Sequence, residues 1–429
     1  MRVLYDVSVL GMSALDPRAR TGVFRTVESL ALGLAASPEC ELRFCAGGES
    51  LYPVYGALKY LEADPRFARV PFVSAGGRER AVRRVLDRFW PYTRQPAPGA
   101  SPGLAERVLR RLAVATFHAV ADRPHPVRPA EMRGAEVYHS PHGPLPPRDG
   151  AGRTKRFITV YDLIAVFHPE LFEPHVPAYV RSILASIGPE DRVTCISEAT
   201  KSDLCGHTGI APERVFVTPL AASRELFHRV DDPAALAAVR ARYGIPDAPY
   251  VLSLNTLEPR KNLGTAVRAF ARLVEEERIG DLRLVLVGAR GWDFAEVFDA
   301  VERSPTVRER ILFPGYVADE DLAALYSGAM AFVYPSLYEG FGLPPLEAMQ
   351  CGVPVVVSDT SALPEVVGDA GRLVAPHDVD GFAAALGELY RDAELRAELG
   401  RRSLERAREF SWERCTRETL AAYRTALHA

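Results

Sequence analysis

The chain has 429 residues, of which 48% are hydrophobic and 25% are charged, and its formal net charge is −3. These fractions are ordinary for a folded globular protein, and the length predicts two domains or three. A net negative charge provides no general basic surface, so we expect no nucleic-acid partner.

The cysteine pattern and the hydropathy indicate the compartment in which the protein works. None of the six cysteines forms a C-x-x-C pair or lies at zinc-ligand spacing from a histidine, so we expect free thiols in a reducing compartment. The first residues begin directly as a strand without a signal-peptide core, and no uncharged apolar run reaches the roughly 18 residues of a membrane span. The sequence therefore predicts a cytoplasmic protein.

Short apolar runs alternate with helical patterns along the chain. A helix is predicted for Gly22–Ala36 from its apolar stripe, and Ser197 is a candidate N-cap for a helix that begins at Glu198. Several apolar runs lack polar alternation, as strands buried on both faces of a parallel sheet do. We therefore predict a doubly wound α/β fold. The predicted strands are Val3–Val9, Phe157–Tyr161, Val193–Ile196, Val215–Val217, Tyr250–Leu254, Leu284–Val287, Ala331–Tyr334, Val353–Val357 and Leu373–Val374.

A helical stretch at Pro233–Tyr243 separates two series of predicted strands, and the second series opens at Tyr250. We place a first domain at 1–222 and a second domain at 223–410. The segment 411–429 is predicted to be a helix that packs back on the first domain.

A basic insertion at about 76–130 interrupts the alternation. Between Gly76 and Leu112 there are nine arginines and three acids. Val82, Val85, Leu86, Phe89 and Trp90 share one helical face. The basic helices of 78–112 are therefore candidates for contact with an anionic inner leaflet or an anionic acceptor. In the alternative interpretation, the apolar stripe is core and the arginines form a solvated surface.

Two polar segments follow predicted strands of the second half, where ligands of open α/β sheets bind. Arg260 and Lys261 follow the strand Tyr250–Leu254, and such a pair can neutralise a diphosphate without a metal. The segment from Glu339 to Glu347 follows Ala331–Tyr334 and presents two carboxylates around a glycine-containing helix start.

These segments resemble family 4 of the retaining glycosyltransferases, which have the GT-B fold of two Rossmann-like domains facing a cleft. The resemblance runs through Leu252–Asn262, "LVLVGARGW", "FPGYV" and Ala331–Glu365 in order, and more loosely through Gly22, "VYHSPHG" and "VTCISEATKSDL" in the first half.

The resemblance implies a role for each matching residue. Arg260 and Lys261 would hold the donor diphosphate, Glu347 would bind the ribose hydroxyls, and Glu339 would contact the transferred sugar. The remaining donor contacts would come from the loop of Phe341, Gly342 and Leu343, from the main chain near Tyr316 and Val317 at the nucleobase, and from Gly22 beside the phosphates.

The resemblance also implies a nucleotide-sugar donor, transfer with retention of configuration, and no metal or other cofactor. Residues 1–222 would then be the acceptor-binding domain and residues 223–410 the nucleotide-sugar-binding domain. The form "GLPPLEAM" resembles mannosyltransferases and related hexosyltransferases, which favours GDP-mannose. The acceptor would be a glycan, a glycolipid or a small natural product, as in polysaccharide biosynthesis.

One position departs from the pattern of the family. Many relatives have a His-Asp pair after a first-domain strand, but this chain has Tyr161 and Asp162 there. A tyrosine does not titrate near neutral pH. His139 and His142 are therefore candidates to supply an imidazole at the site.

Three other functions are associated with α/β folds of this kind. A nicotinamide oxidoreductase requires G-x-G-x-x-G after a strand, and the sequence has none. A non-hydrolysing sugar-nucleotide epimerase shares the fold. A degenerate glycan-binding relative is suggested by Tyr161 but disfavoured by the intact cluster of cations and glutamates.

Overall fold

The computed structural model describes residues 1–13, 22–48, 51–73, 86–88, 90, 103–121, 127–149, 152–288 and 295–429. Within these residues the strands form two six-stranded sheets with parallel pairings, which confirms the predicted doubly wound α/β class. The strands are β1 Arg2–Asp6, β2 Glu41–Cys45, β3 Val137–Ser140, β4 Lys155–Val160, β5 Arg192–Cys195, β6 Val215–Val217, β7 Tyr250–Leu254, β8 Arg283–Val287, β9 Ile311–Gly315, β10 Ala331–Tyr334, β11 Val355–Ser358 and β12 Arg372–Val374.

The first sheet has the order β2-β1-β3-β4-β5-β6 and the second has the order β12-β11-β10-β7-β8-β9. We call the residues around these sheets the first and the second domain. Only one helix lies between Val217 and Tyr250, the residues at which the sheets end and begin. The boundary after residue 222 remains a prediction.

Helices cover the sheets on both faces, because the parallel pairing requires a crossover between successive strands. In the first domain they are α1 Ser8–Ser13, α2 Gly22–Ala36, α3 Leu51–Ala63, α4 Leu104–Ala121, α5 Pro129–Met132, α6 Ile164–Phe167, α7 His175–Ala185 and α8 Glu198–Thr208. After them come α9 Pro233–Arg242, α10 Leu263–Glu276, α11 Ala295–Glu302, α12 Asp319–Ser327, α13 Leu343–Gln350, α14 Leu363–Val367, α15 Val379–Arg391, α16 Ala393–Ala407 and α17 Trp412–His428. Three-ten helices occupy Pro65–Phe67, Pro169–Leu171, Pro212–Arg214, Pro259–Lys261 and Arg308–Arg310.

The last helix, α17, packs against α2 of the first domain. Ser411 caps its N-terminus by accepting a hydrogen bond from the main-chain N–H of Arg414 at 3.1 Å. Leu420 and Tyr423 are buried with Val3 and Val27 in the core of the first sheet. The chain therefore returns to its first domain after the second sheet is complete.

Several strand predictions were wrong at their ends or absent. β1 ends at Asp6 rather than Val9, because the Asp6 carboxylate accepts the main-chain N–H of Ser8 at 2.8 Å and starts α1 there. β11 begins at Val355, two residues later than predicted. β2, β3 and β9 were not predicted from the sequence.

The described part of the apolar helical face in the basic insertion is buried. Leu86 and Trp90 are buried, and the Trp90 ring lies edge-on to Tyr55 with the ring centroids 5.2 Å apart. Val82, Val85 and Phe89 of the same predicted face lie outside the described residues. For the described part of that face, the interpretation as core is confirmed. Among the described residues, no helix is both long and apolar enough to cross a membrane.

Candidate active site

A cleft of about 600 Å³ lies where the carboxyl ends of the two sheets face each other. Loops that follow strands of both domains line it, as expected for open α/β sheets. The lining residues include Gly22, Arg25, Tyr161 and Asp162 of the first domain, and Asn255, Arg260, Lys261, Tyr316, Glu339 and Glu347 of the second. The structure therefore brings most of the residues singled out by sequence into one cavity.

A tight turn after β7 positions the two adjacent cations. The chain passes through the three-ten helix Pro259–Lys261, and Asn262 then takes a left-handed conformation with φ of 50°. The Asn262 side-chain amide donates to the carbonyl of Pro335 at 3.0 Å, which fixes the turn to the end of β10. Both Arg260 and Lys261 consequently point toward Glu339.

Glu339 is the centre of a buried network of charges and hydroxyls. Its Oε2 lies 2.8 Å from Arg260 Nη1 and its Oε1 lies 2.7 Å from Lys261 Nζ. Tyr334 and Ser336 donate their hydroxyls to Oε1 at 2.9 and 2.6 Å. Burial alone would raise the pKa of Glu339, but the charges of Arg260 and Lys261 and the hydrogen bonds from Lys261 and Ser336 lower that pKa to about 2. The carboxylate is therefore ionised at any physiological pH.

Arg260 is held by a second carboxylate and keeps one free donor. Its Nη2 lies 2.7 Å from Glu258 Oε1, and its Nη1 also donates to the carbonyl of Tyr338 at 2.9 Å. Its buried Nε has no hydrogen-bond partner among the described residues. The same is true of Oδ1 of the nearby Asn255. Such orphaned buried atoms in a cleft are candidates for contact with a ligand.

Glu347 lies in α13 and has a different electrostatic environment from Glu339. It is 9% exposed, and the hydroxyl of Tyr326 donates to its Oε2 at 3.1 Å. Burial raises the pKa of Glu347 to about 7, which the charge of Arg25 and the Tyr326 hydrogen bond only partly oppose. The two glutamates of the loop therefore differ in protonation near neutral pH.

The N-terminus of α13 opens into the cleft. Gly342 precedes it with φ of 111°, a backbone conformation that L side chains rarely adopt, and makes no side-chain cap. Phe341, Gly342 and Leu343 line the cavity there. The first N–H groups of a helix lack intrahelical partners and carry partial positive charge, so this loop can receive an anion.

The first-domain wall of the cleft approaches this loop closely. A Cβ on Gly340 would lie 2.4 Å from the carbonyl oxygen of Tyr161 and 3.0 Å from Cβ of Asp162, so only glycine fits. Gly22 begins α2 within reach of Leu343, whose Cδ1 would lie 3.4 Å from a Cβ at that position. These close approaches place both predicted first-domain segments beside the loop of Glu339 and Glu347.

Several polar contacts between described residues join the two walls, among them a hydrogen bond of 3.3 Å from the Thr200 hydroxyl to the carbonyl of Gly340. The Arg25 guanidinium lies 2.8 Å from Asp319 Oδ2 of α12. The Glu365 carboxylate accepts the main-chain N–H groups of Glu198 and Ala199 at 3.1 and 3.3 Å, and so caps α8 from the other domain. Tyr338 donates its hydroxyl to Asp203. Sequence reasoning missed Arg25, although Arg25 lies one helical turn after Gly22 on the same face of α2.

Tyr161 and Asp162 lie at the cleft and differ in their hydrogen bonding. The buried Tyr161 hydroxyl has no partner among the described residues. Asp162 accepts the main-chain N–H of Ile164 at 3.1 Å, and burial raises the pKa of its carboxyl against the opposing charge of Arg260. Tyr316 is 74% exposed at the rim, whereas the side chain of Val317 is buried.

The structure does not bring His139 to the cleft, which corrects the sequence interpretation. Its ring is fully buried in the first-domain core, where Nδ1 lies 2.5 Å from the Tyr423 hydroxyl and Nε2 lies 2.8 Å from the Thr159 hydroxyl. Burial lowers the pKa of His139 to about 3. His142 instead packs between Tyr161 and Tyr179, with ring centroids 6.1 and 5.6 Å away.

Two further observations bear on where the active site lies. Among the described residues, no group of three His, Cys, Asp or Glu side chains is placed to hold a metal ion. A second cavity of about 620 Å³ lies between α2 and α17, but the cluster of Arg260, Lys261 and Glu339 does not line it. The cleft is therefore the candidate active site.

Two Rossmann-like domains that face a cleft with clustered cations and glutamates have the GT-B fold of glycosyltransferases. Residues 237–406 match the family described as Glycosyl transferases group 1. The chain is also 38% identical over 290 residues to the O-antigen chain mannosyltransferase B of Escherichia coli, covering 67% of this chain and 74% of that protein. The chain belongs to this family of glycosyltransferases.

Two further relatives differ from the chain in length or in sequence. The serotype-specific mannosyltransferase WbdA of Escherichia coli is 31% identical over 261 residues, and the match spans 60% of this chain but only 32% of that protein. Sucrose-phosphate synthase from Thermosynechococcus elongatus superimposes with a TM-score of 0.60 at 22% identity, over 99% of this chain and 98% of that one. The structural likeness shows the fold alone.

Proposed function

We propose that the protein transfers mannose from GDP-mannose to a hydroxyl of a glycan or glycolipid, with retention of configuration and without a metal. The observation that carries this proposal is the meeting of Arg260, Lys261, Glu339 and Glu347 in a single interdomain cleft. Two relatives named as mannosyltransferases support the choice of sugar.

The donor diphosphate would lie between Arg260 and the N-terminus of α13. The two cations are already balanced by Glu258 and Glu339, so the helix terminus and the free Nε of Arg260 would supply the additional attraction for phosphate oxygens. Glu347, as a carboxylate, would accept hydrogen bonds from the ribose hydroxyls.

The proposed transfer reaction builds negative charge on the departing diphosphate and positive charge on the sugar. The bond between the anomeric carbon and the phosphate oxygen breaks, and the diphosphate leaves with the electron pair. The acceptor hydroxyl attacks the anomeric carbon from the same face, and its proton passes to the departing phosphate oxygen. Arg260 and Lys261 would stabilise the leaving group, while Glu339 holds both cations in place.

The first domain would orient the sugar and the acceptor. Tyr161 would offer its unpartnered hydroxyl to the donor sugar, and Asp162 would lie beside it. The main chain at Tyr316 and Val317 would contact the nucleobase at the rim of the cleft. We also propose that a lipid-linked acceptor brings the enzyme to the membrane surface.

A thermal-shift panel in EDTA tests the donor site, with GDP, UDP, dTDP, ADP and their common sugars as ligands. A ligand that binds only the folded state raises the Tm in proportion to its affinity. We expect GDP and GDP-mannose to raise the Tm of the wild type and to lose this effect in Glu347→Ala. A panel in which UDP or dTDP stabilises more than GDP overturns the proposed donor.

Turnover tests the reaction itself. With GDP-mannose and a mannose-terminated acceptor, we expect the same rate in EDTA and in magnesium, and an axial α-linkage in the product by NMR. A requirement for magnesium contradicts metal-independent transfer. Consumption of GDP-mannose without an acceptor, with formation of an epimer, identifies the epimerase alternative instead.

A further inference from the structure

Helix α4, Leu104–Ala121, exposes a row of large apolar side chains. Leu104, Val108, Leu109 and Leu112 are 72%, 49%, 59% and 61% exposed. Residues four apart share one face of a helix, so Leu104, Val108 and Leu112 form a continuous apolar stripe with Leu109 at its edge. The other large apolar residues exposed within the described parts of the chain occur singly.

The opposite side of α4 is anchored to the protein. Ala113 is buried, Arg110 and Val114 are half-buried, and the helix contacts α3. The exposed stripe is therefore not the result of a helix that stands away from the domain. A large apolar patch that remains exposed on a folded domain marks a surface for a partner or a membrane.

Positive charge lies along one edge of this stripe. Arg107 and Arg111 are exposed and lie one and two helical turns after Leu104. The surrounding sequence from 76 to 112 contains nine arginines and three acids, although the whole chain has a net charge of −3. A basic edge beside an apolar stripe complements an anionic lipid surface, since phosphates and acyl chains meet there.

We propose that α4 docks the protein on an anionic bilayer, with Leu104, Val108 and Leu112 inserted at the level of the headgroups. Arg107 and Arg111 contact lipid phosphates. Leu86 and Trp90 take no part, because both are buried in the first domain. This surface does not depend on the proposed sugar donor, so its test is separate from that of the transfer reaction.

Vesicle flotation measures the docking directly. Full-length protein is mixed with vesicles of phosphatidylcholine alone or with 30 mol% phosphatidylglycerol (about 100 nm in diameter), a composition chosen for a surface potential typical of anionic leaflets. We expect the protein to float with the anionic vesicles and to stay at the bottom with neutral ones. Raising the salt to about 0.5 M should weaken the association, because the Debye length shortens.

Two variants and two controls identify the surface. We expect the triple variant Leu104→Ser, Val108→Ser, Leu112→Ser and the double variant Arg107→Glu, Arg111→Glu each to weaken vesicle binding at least about tenfold. Leu373→Ser removes an apolar residue that is 40% exposed elsewhere, and Arg303→Glu, Arg308→Glu reverses two exposed charges of the second domain. Both controls should bind as the wild type does.

Three results would overturn the proposal. The first is unchanged vesicle binding by the triple serine variant at an unchanged Tm. The second is equal binding of the wild type to neutral and anionic vesicles. The third is a wild-type dimer in light scattering that becomes monomeric in the serine variant without any vesicle binding, since the stripe would then be an interface between two copies of the chain.

Discussion

The two walls of the cleft are built differently. The second-domain wall holds its charges in contact with one another: the side chains of Arg260, Lys261 and Glu339 are 14%, 9% and 10% exposed and are all paired. The first-domain wall contributes Tyr161, Asp162 and Arg25, and Arg25 pairs with Asp319 of the second domain. One wall therefore fixes its charges within a single domain, and the other fixes its charge through contact with the neighbouring domain.

The two walls also differ in whether one domain or both domains are needed to assemble them. The charged wall is assembled within one domain, around β7 and β10, which are neighbours in the second sheet. The first-domain wall is completed only when the domains meet, through Arg25 with Asp319 and through Glu365 with α8. We therefore expect substitutions in the charged wall to abolish sugar transfer. Substitutions at the contact between the domains should change its rate or the donor affinity only slightly.

The largest effect is expected for Arg260→Ala. Removal of one preorganised donor to a developing charge costs about 10²–10³-fold in kcat. The variant also leaves Glu339 buried with one cation instead of two, so we expect an unfolding free energy lower by about 3 kcal/mol. Steady-state kinetics with GDP-mannose and urea unfolding measure the two effects.

The matched control for Arg260 is Arg272→Ala, an arginine whose ion pairs with Glu276 and Asp380 are exposed. This substitution should change neither kcat nor the unfolding free energy appreciably, because exposed ion pairs contribute little to stability. An active Arg260→Ala protein with normal circular dichroism would refute the leaving-group role.

The next effect concerns pH and nucleotide binding. Burial raises the pKa of Glu347 to about 7, so about half of the side chain is protonated at neutral pH. If the carboxylate accepts ribose hydroxyls, binding of GDP should weaken by up to about tenfold for each pH unit below 7. Calorimetry between pH 5.5 and 8.5 measures this (a range of roughly 1.5 units either side of that pKa).

Glu347→Gln is the control for the pH dependence, since the amide does not titrate. Its affinity for GDP should be lower than that of the wild type at pH 8 and flat with pH. A wild-type affinity that is equally flat would show that the Glu347 carboxylate does not bind the nucleotide.

The charged wall could be predicted from sequence, and the physical reason is local. Arg260, Lys261 and Glu339 each follow a strongly apolar strand by a few residues, and Glu347 lies in the helix that begins after the same loop as Glu339. The rule of strand carboxyl ends then places them together. The interdomain contacts could not be predicted in this way. Arg25 and Asp319 are 294 positions apart, and nothing local in either segment indicates the other.

The errors in the fold have physical causes as well. β2 contains Glu41 and Arg43, and β9 contains Pro314 and Gly315, so neither reads as an uninterrupted apolar run. His139 was predicted as a candidate for the site because β3 was not predicted. A strand at Val137–Ser140 directs that side chain into the core, where Tyr423, 284 positions away, supplies the partner.

His139 allows a test that separates structure from catalysis in the first domain. His139→Gln should leave kcat within about twofold but reduce the unfolding free energy by about 1–3 kcal/mol, because a buried hydrogen-bonded group loses its partners. The folded-state pKa of about 3 lies below the unfolded value, so the neutral ring stabilises the fold above roughly pH 6.5.

That stabilisation is lost as the pH falls from about 6.5 toward 3, since the unfolded state binds the proton first. Urea unfolding at pH 7 and pH 5 should therefore show a steeper loss in the wild type than in His139→Gln. A strong fall in kcat with unchanged stability would return His139 to the list of catalytic candidates.

The smallest effect is expected where one domain caps a helix of the other. Glu365→Gln keeps an acceptor for the N–H groups of Glu198 and Ala199 but removes the charge that favours a helix N-terminus. We expect the affinity for donor to change by less than about threefold, equivalent to about 0.65 kcal/mol. Glu388→Gln, which loses only an exposed pair with Arg372, is the matched control. If Glu365→Gln instead matched Arg260→Ala in its loss of transfer, the contact between the domains would be as essential as the charged wall, and the distinction between the two walls would fail.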